Sequence, residues 1–328
     1  MGVVETVRGP VELSDLGPTL MHEHVYVLST EYVQNYGSDW WDEEFRVADA
    51  IAKLNSMYAK GIHTIVDPTV WGLGRYIPRI QRIAAQTPVN IIVATGLYVY
   101  EELPHQYAYR GPGLLFDMPE PMVTDFSGDI TEGIAGTGVK AAFLKCAMET
   151  PELTPGVERI ARAIARTHLE TGAPITVHTS GPHQTGRIAV RIFREEGVDL
   201  ARVVIGHAGD TNDLDYLTEL ADAGVLLGMD RFGLDVYNPT AERVKTIAAL
   251  AARGYAPSMV LAHDASCFID WFGAIHDEIR PVAAPNWHYE HISDDVLPAL
   301  LEAGVTQAQI DTMLLENPVR YFTKGGAL

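Results

Sequence analysis

The 328-residue sequence predicts an α/β fold, a (β/α)8 or TIM barrel forming a single domain over residues 1–328. Three observations lead there. Eight short, nearly continuous apolar runs recur along the chain, as strands covered on both faces must read. Longer amphipathic stretches separate most of them, the alternation of successive βαβ units. No glycine-rich turn follows the first run, which disfavours the doubly wound open sheet.

The strand candidates are, in order, TLMHEHVYV (19–27), TIVDPTV (64–70), NIIVATG (90–96), AAFLKCA (141–147), PITVHT (174–179), VVIGHAGD (203–210), GVLLGMDRF (224–232) and MVLAHDA (259–265). Between the first two, residues 43–60 predict a helix with Phe45, Ala48, Ile51, Leu54 and Tyr58 on its inner face and Gly61 as its stop. Residues 155–171 predict another, with Val157, Ile160, Ala161 and Ile164 inward, Pro155 at the start and Gly172 after the end. Two connections are long, 97–140 and 266–292. The second is rich in aromatics: Phe268, Trp271, Phe272, Trp287 and Tyr289. Both leave C-terminal strand ends, where barrel sites are built.

Composition narrows the function. The net charge of −19 repels phosphate backbones and anionic lipid, so neither nucleic acid nor a membrane surface is expected as partner. Two cysteines, Cys146 and Cys267, make no disulfide framework and fit a reducing cytoplasm. The N-terminus MGVVETVRGP has no signal-peptide pattern. Gly2 and Thr6 match a myristoylation pattern, but no basic second signal accompanies them and lipidation is not expected.

The chemistry-bearing residues sit near strand ends. His22 and His24 alternate on the first strand, so both side chains point one way. Lys145, His178, His207 and Asp264 lie toward the C-terminal ends of the fourth, fifth, sixth and eighth strands, which a barrel brings to one rim. His263 adjoins Asp264 and reads as packing or support. His63 precedes the second strand, on the opposite face, and His168 belongs to a helix. His105, His183, His276, His288 and His291 fall in or beside loops and read as surface. Neutral imidazoles with a carboxylate suit zinc, cobalt, manganese or iron. Four histidines and an aspartate exceed one open catalytic zinc and suggest two divalent ions. Lys145 is then anomalous, because an ammonium offers no lone pair and would be repelled. Buried there, it should lose its proton or be covalently modified.

At this point the sequence resembles the phosphotriesterase family of the amidohydrolase superfamily, specifically its lactonase branch. LMHEHV (20–25), KAAFLKCA (140–147), VHTS (177–180), VIGHAGD (204–210), GMDRFGLD (228–235), HDASCFIDW (263–271) and ENPVRYF (316–322) carry the likeness over essentially the whole chain. The resemblance implies a Lys145 carboxylated on its ε-nitrogen that, with a hydroxide, bridges two divalent metals. It implies His22, His24 and Asp264 on one metal and His178 and His207 on the other. It further implies Tyr98 and Arg231 at the reacting oxygen, with Tyr100 beside Tyr98 if the strand continues. Asp210 is implied as support or part of a proton relay, Asp264 as proton acceptor, and Trp271 as a substrate-channel wall. The implied activity is opening of acyl homoserine lactones and related aliphatic lactones, with secondary phosphotriester hydrolysis, by a homodimer. A dedicated phosphotriesterase or other ester or amide hydrolase is the alternative within the superfamily. A non-catalytic, lactone-binding barrel is the alternative outside enzymology. SGPHQTGR (180–187) and EELPHQYAYRG (101–111) depart from the family pattern and bear on substrate preference.

Overall fold

The computed structural model describes residues 2–323. A hairpin of β1 (Val3–Thr6) and β2 (Gly9–Glu12) precedes the barrel. The barrel strands follow: β3 (Thr19–Leu20), β4 (His24–Val27), β5 (Thr64–Asp67), β6 (Asn90–Gly96), β7 (Phe143–Met148), β8 (Ile175–Thr179), β9 (Val203–Gly206), β10 (Leu226–Met229), β11 (Met259–Leu261) and β12 (Ser266–Ile269). From β3 through β5 to β11, neighbours in sequence pair in parallel. Helices Glu43–Ala59, Ile77–Ala84, Pro121–Thr131, Pro155–Thr171, Gly186–Glu195, Leu214–Asp222 and Thr240–Ala252 fall between successive strands. Met21 N–H donates to Leu261 O at 3.1 Å, and β4 pairs in parallel with β12, so the first and last strands close the ring. This is the (β/α)8 barrel.

The expected first and eighth strands are each broken in two. The interruption lies at Met21–Glu23 on one side and Ala262–Ala265 on the other. Glu23 explains it: its buried carboxylate accepts the His263 and Ala265 amides at 2.6 and 2.9 Å and His263 Nδ1–H at 2.7 Å. A side chain thus supplies acceptors that a regular ladder would have offered. Residues 266–269, expected as loop, form β12 by pairing in parallel with β4.

Apolar side chains separate into two cores. One lies between strands and helices. The other fills the barrel, with Val66, Ile92, Phe143, Val204, Leu226 and Val260 inside. Tyr321 closes it from below, its hydroxyl 2.9 Å from Thr176 Oγ1. Strand alternation then carries the inward direction upward from Phe143 to Lys145 and from Thr176 to His178. An apolar floor therefore supports a titratable upper layer.

The helix Pro155–Thr171 buries Val157, Ile160, Ala161 and Ile164 and ends at a left-handed Gly172 (φ 71°), as its sequence predicts. The helix Glu43–Ala59 is rotated from its expected face: Arg46, Val47, Ala50, Leu54 and Met57 are buried, while Phe45 is 57% exposed. Arg46 replaces an apolar residue there because its guanidinium stacks 4.1 Å from the Phe268 ring and forks onto Asp277. Of the histidines expected at the surface, His276 and His291 are buried, bound to Asp277 and Asp295.

Candidate metal centre

Three strands end in the same unusual way. His207, Arg231 and Asp264 follow β9, β10 and β11, and each has positive φ, 64°, 63° and 53°. This left-handed conformation is uncommon for side-chain-bearing residues and gathers at functional sites. Here it draws the three side chains together: Asp264 Oδ2 is 3.0 Å from Arg231 Nε and 3.8 Å from His207 Nδ1. Two inward positions carry no side chain. A Cβ on Gly206 would meet His22 at 3.4 Å, and one on Gly228 would meet Asp230 Oδ2 at 2.9 Å. Those glycines leave the interior to His22 and Asp230.

All six sequence-predicted ligand residues converge. His24 Nε2 and His22 Nε2 lie 3.2 and 3.5 Å from Asp264 Oδ1. Lys145 Nζ lies 3.4 Å from His22 Nε2. His207 Nε2 and His178 Nδ1 face each other at 2.8 Å. His22, His24 and Asp264 offer three ligand atoms mutually within 4.8 Å, enough to hold one ion.

The far nitrogen of every imidazole meets a polar partner. His207 Nδ1 lies 2.8 Å from Asp230 Oδ1, and His24 Nδ1 lies 2.8 Å from Thr69 Oγ1, which in turn contacts Asp67. His178 Nε2 lies 2.7 Å from Glu149 Oε2. His22 Nδ1 is 3.1 Å from Asp230 Oδ2 but off the N–H axis, so that contact is electrostatic rather than a formed hydrogen bond. With protons on these outer nitrogens, all four lone pairs point inward. The second group of potential ligands, His22, His207 and Asp230, is this supporting contact seen from outside. His178 Nδ1 and His207 Nε2 would then oppose lone pair to lone pair. A cation shared between them relieves that repulsion, so the donor set fits a metal.

Protonation follows the same logic. Burial pulls His22 and His207 below the ordinary imidazole value, and takes His178 to about 4 despite Glu149. Neutral imidazoles are the form that binds metals. Burial also lowers Lys145 to about 8, bringing its amine lone pair within reach. Burial acts against the Asp264 and Asp230 carboxylates, yet surrounding imidazoles, and Arg231 beside Asp264, outweigh it and hold both below the usual range. Burial likewise opposes the Arg231 charge, but Asp264 and Asp210 hold its guanidinium above the ordinary value. Arg231 Nη1 bonds Asp210 at 2.8 Å, and Asp210 accepts Arg243 Nη2 at 2.6 Å.

A cavity of about 360 Å³ opens on this cluster. Tyr98 Oη lies 3.2 Å from His178 Nδ1 and touches the Tyr100 hydroxyl. The two tyrosines meet although β6 ends at Gly96, so a loop rather than a continued strand pairs them. Trp271, 69% exposed, lines the mouth with Leu234 and Phe272. Trp287 is the buried wall, and its Nε1–H bonds Asp264 O at 3.0 Å. His263 lies outside the cluster, held by Glu23 and accepting the Ile292 amide at 2.9 Å. Cys146 and Cys267 are buried free thiols, with Cys146 pushed up to about 12 by burial.

Sequence reasoning missed the supporting residues Asp230, Glu149 and Thr69. Two had a signal. Glu149 shares the parity of Lys145, and Asp230 precedes Arg231 within GMDRF.

A family model described as "Phosphotriesterase family" matches residues 2–322. The solved structure of the phosphotriesterase from Mycobacterium tuberculosis is 55% identical and superposes with a TM-score of 0.95 over 98% of this chain and 99% of that one. An aryldialkylphosphatase of Saccharolobus solfataricus is 38% identical over 96% of this chain and 98% of its own length. A structure from the engineering of organophosphate hydrolysis out of a weak promiscuous lactonase template has a TM-score of 0.90 at 32% identity, over 98% and 100% of the two chains.

Proposed function

The chain belongs to the phosphotriesterase family, and on that footing we propose a binuclear metal-dependent hydrolase that opens N-acyl homoserine lactones and related aliphatic lactones, with phosphotriester hydrolysis as its secondary activity. The observation that carries this is the convergence of His22, His24, Lys145, His178, His207 and Asp264 on one cavity, with a ring nitrogen of each imidazole facing the cluster. His22, His24 and Asp264 would hold one divalent cation and His178 and His207 the other, whether zinc, cobalt, iron or manganese. Lys145 would span both once its neutral amine has added to carbon dioxide, releasing one proton and becoming a carbamate anion. Bound cations would polarise the carbonyl oxygen and lower the pKa of nearby water.

The chain's own groups do the rest. Asp264 accepts the proton of the attacking water and returns it to the leaving alkoxide as the ring C–O bond breaks. Tyr98, a neutral phenol at physiological pH whose pKa burial raises further, donates to the substrate oxygen. Arg231 holds Asp264 Oδ2 at 3.0 Å and so aims the other oxygen at the histidines. A guanidinium does not give up its proton, so Arg231 cannot pass one to Asp210. Asp210 is therefore an anchor, with Arg243, for Arg231. Leu234, Trp271, Phe272 and Trp287 supply an apolar wall suited to an aliphatic tail, and Tyr100 packs against Tyr98.

Among the described residues no helix is long and apolar enough to cross a membrane. We infer a cytoplasmic location from the two free cysteines, and a homodimer from a patch of exposed Tyr32, Tyr36, Trp271 and Ile275, with Tyr32 beside the turn at Gly273.

The reading is tested by removing metal with a chelator, restoring divalent ions, and comparing a lactone series with arylphosphotriesters. Restored activity favouring aliphatic lactones is expected. Full activity after chelation contradicts it, and preference for phosphotriesters over every lactone favours the second reading, in line with the aryldialkylphosphatase relative. Lys145→Ala should abolish turnover, and a small added carboxylate should restore part of it.

A further inference from the structure

A second cavity, of about 840 Å³, lies at the opposite end of the barrel. Its wall includes Arg202, which immediately precedes β9, and Lys140, shortly before β7. These are the N-terminal ends of strands, away from the metal centre. Arg202 is only 6% exposed, yet its Nε has no hydrogen-bond partner. Among the described residues, neither Arg202 nor Lys140 is in an ion pair. Asp199, the acid whose charge reaches Arg202, is turned onto the Ala201 amide at 3.1 Å. A buried cation without a counter-charge is costly unless something pairs with it.

The rest of the lining says what kind of partner fits. Val4, Leu13, Ile130, Val319 and Phe322 make an apolar wall. Glu5 and Glu12 also line the cavity, but Glu12 is exposed and Glu5 half-exposed, so water screens them. The buried guanidinium expresses its charge more strongly than they do. Two acids on the wall still disfavour a polyanion. A guanidinium fork matches a carboxylate through two parallel N–H bonds.

We propose that this cavity is a binding site for an aliphatic monocarboxylate, its head group on Arg202 with Lys140 nearby and its tail along Ile130, Val319 and Phe322. The site is separate from the catalytic reading and stands if that reading fails.

The test is titration of the full chain with dodecanoate and with uncharged dodecanol, followed by calorimetry and thermal shift. Saturable dodecanoate binding is expected, with dodecanol at least about tenfold weaker. Arg202→Met should weaken dodecanoate binding by about tenfold or more, and Arg202→Lys should retain part of it. Trp271→Ala, in the substrate cleft, should leave it unchanged. If Arg202→Met does not fold, Ile130→Trp should block the cavity instead. Affinity unaffected by the cavity variants, or lost only with Trp271→Ala, overturns the proposal. Binding that emerges only after deletion of residues 324–328 also overturns it, because the chain's own terminus would then be the partner of Arg202.

Discussion

Asp230 touches two of the four converging imidazoles, 2.8 Å from His207 Nδ1 and 3.1 Å from His22 Nδ1. One carboxylate therefore hydrogen-bonds the outer nitrogen of His207 and acts electrostatically on that of His22, residues proposed for different metals. Asp230→Asn keeps the size but removes the charge and one acceptor oxygen. We expect metal affinity to fall by about 10- to 100-fold with the fold intact, measured by competition with a chromogenic chelator. Unchanged affinity would show that Asp230 merely fills space. Glu23 makes a different kind of contribution, to folding rather than chemistry. It joins β4 to the segment between β11 and β12 through three hydrogen bonds to N–H groups. Glu23→Gln turns an amide donor toward those donors. The expected cost is about 3 kcal/mol, seen as a lower denaturant midpoint at unchanged slope.

At the scale of elements, the segment after β12 covers the site and is tied down from outside. Its helix His276–Ala283 is held to the helix Glu43–Ala59 by the Arg46–Asp277 fork. The Arg46 hydrogen bonds lower the Asp277 pKa to about 2. A carboxylate depressed on folding contributes its stabilisation above its unfolded value, near 4, and loses it as pH falls through the folded value. Amide protection in residues 276–283, corrected for the intrinsic exchange rate, should therefore fall between about pH 4 and pH 2 in wild-type protein. Arg46→Met should show the lower protection already at neutral pH; equal protection in both proteins would remove this tie.

Strand and helix placement was legible because burial on both faces leaves a continuous apolar record, and because Gly172 stops a helix through its own φ preference. The ligand residues were legible because barrel strands end on a common rim, which turns positions distant in sequence, such as His22 and Asp264, into neighbours. The breaks at Met21–Glu23 and Ala262–Ala265 were not, since a carboxylate replacing ladder acceptors leaves no periodic trace. Nor was the inner face of the helix Glu43–Ala59, where cation–π stacking on Phe268 buries an arginine in place of Phe45. Asp230, Glu149 and Thr69 act through hydrogen bonds to the imidazoles, and an isolated acid or hydroxyl at a strand end carries no periodic pattern that marks such a role.

Across the whole molecule, the barrel divides its labour along its axis. Apolar layers and Tyr321 fill the lower half, while the upper layer holds four imidazoles, Lys145 and Asp264 with Asp230 beneath them. Left-handed turns at His207, Arg231 and Asp264 and side-chain-free positions at Gly206 and Gly228 allow so many polar groups to share one mouth. Such crowding of imidazoles around buried carboxylates fits divalent cations, and the proposed function requires two. X-ray diffraction from crystals of the cation-loaded protein, recorded at the absorption edge of the added metal, tests it most directly. Two anomalous peaks are predicted, one among His22, His24 and Asp264 and one between His178 and His207, with Lys145 density extended by a carboxylate reaching both. A single peak elsewhere, or none at these side chains, would rule out a binuclear centre.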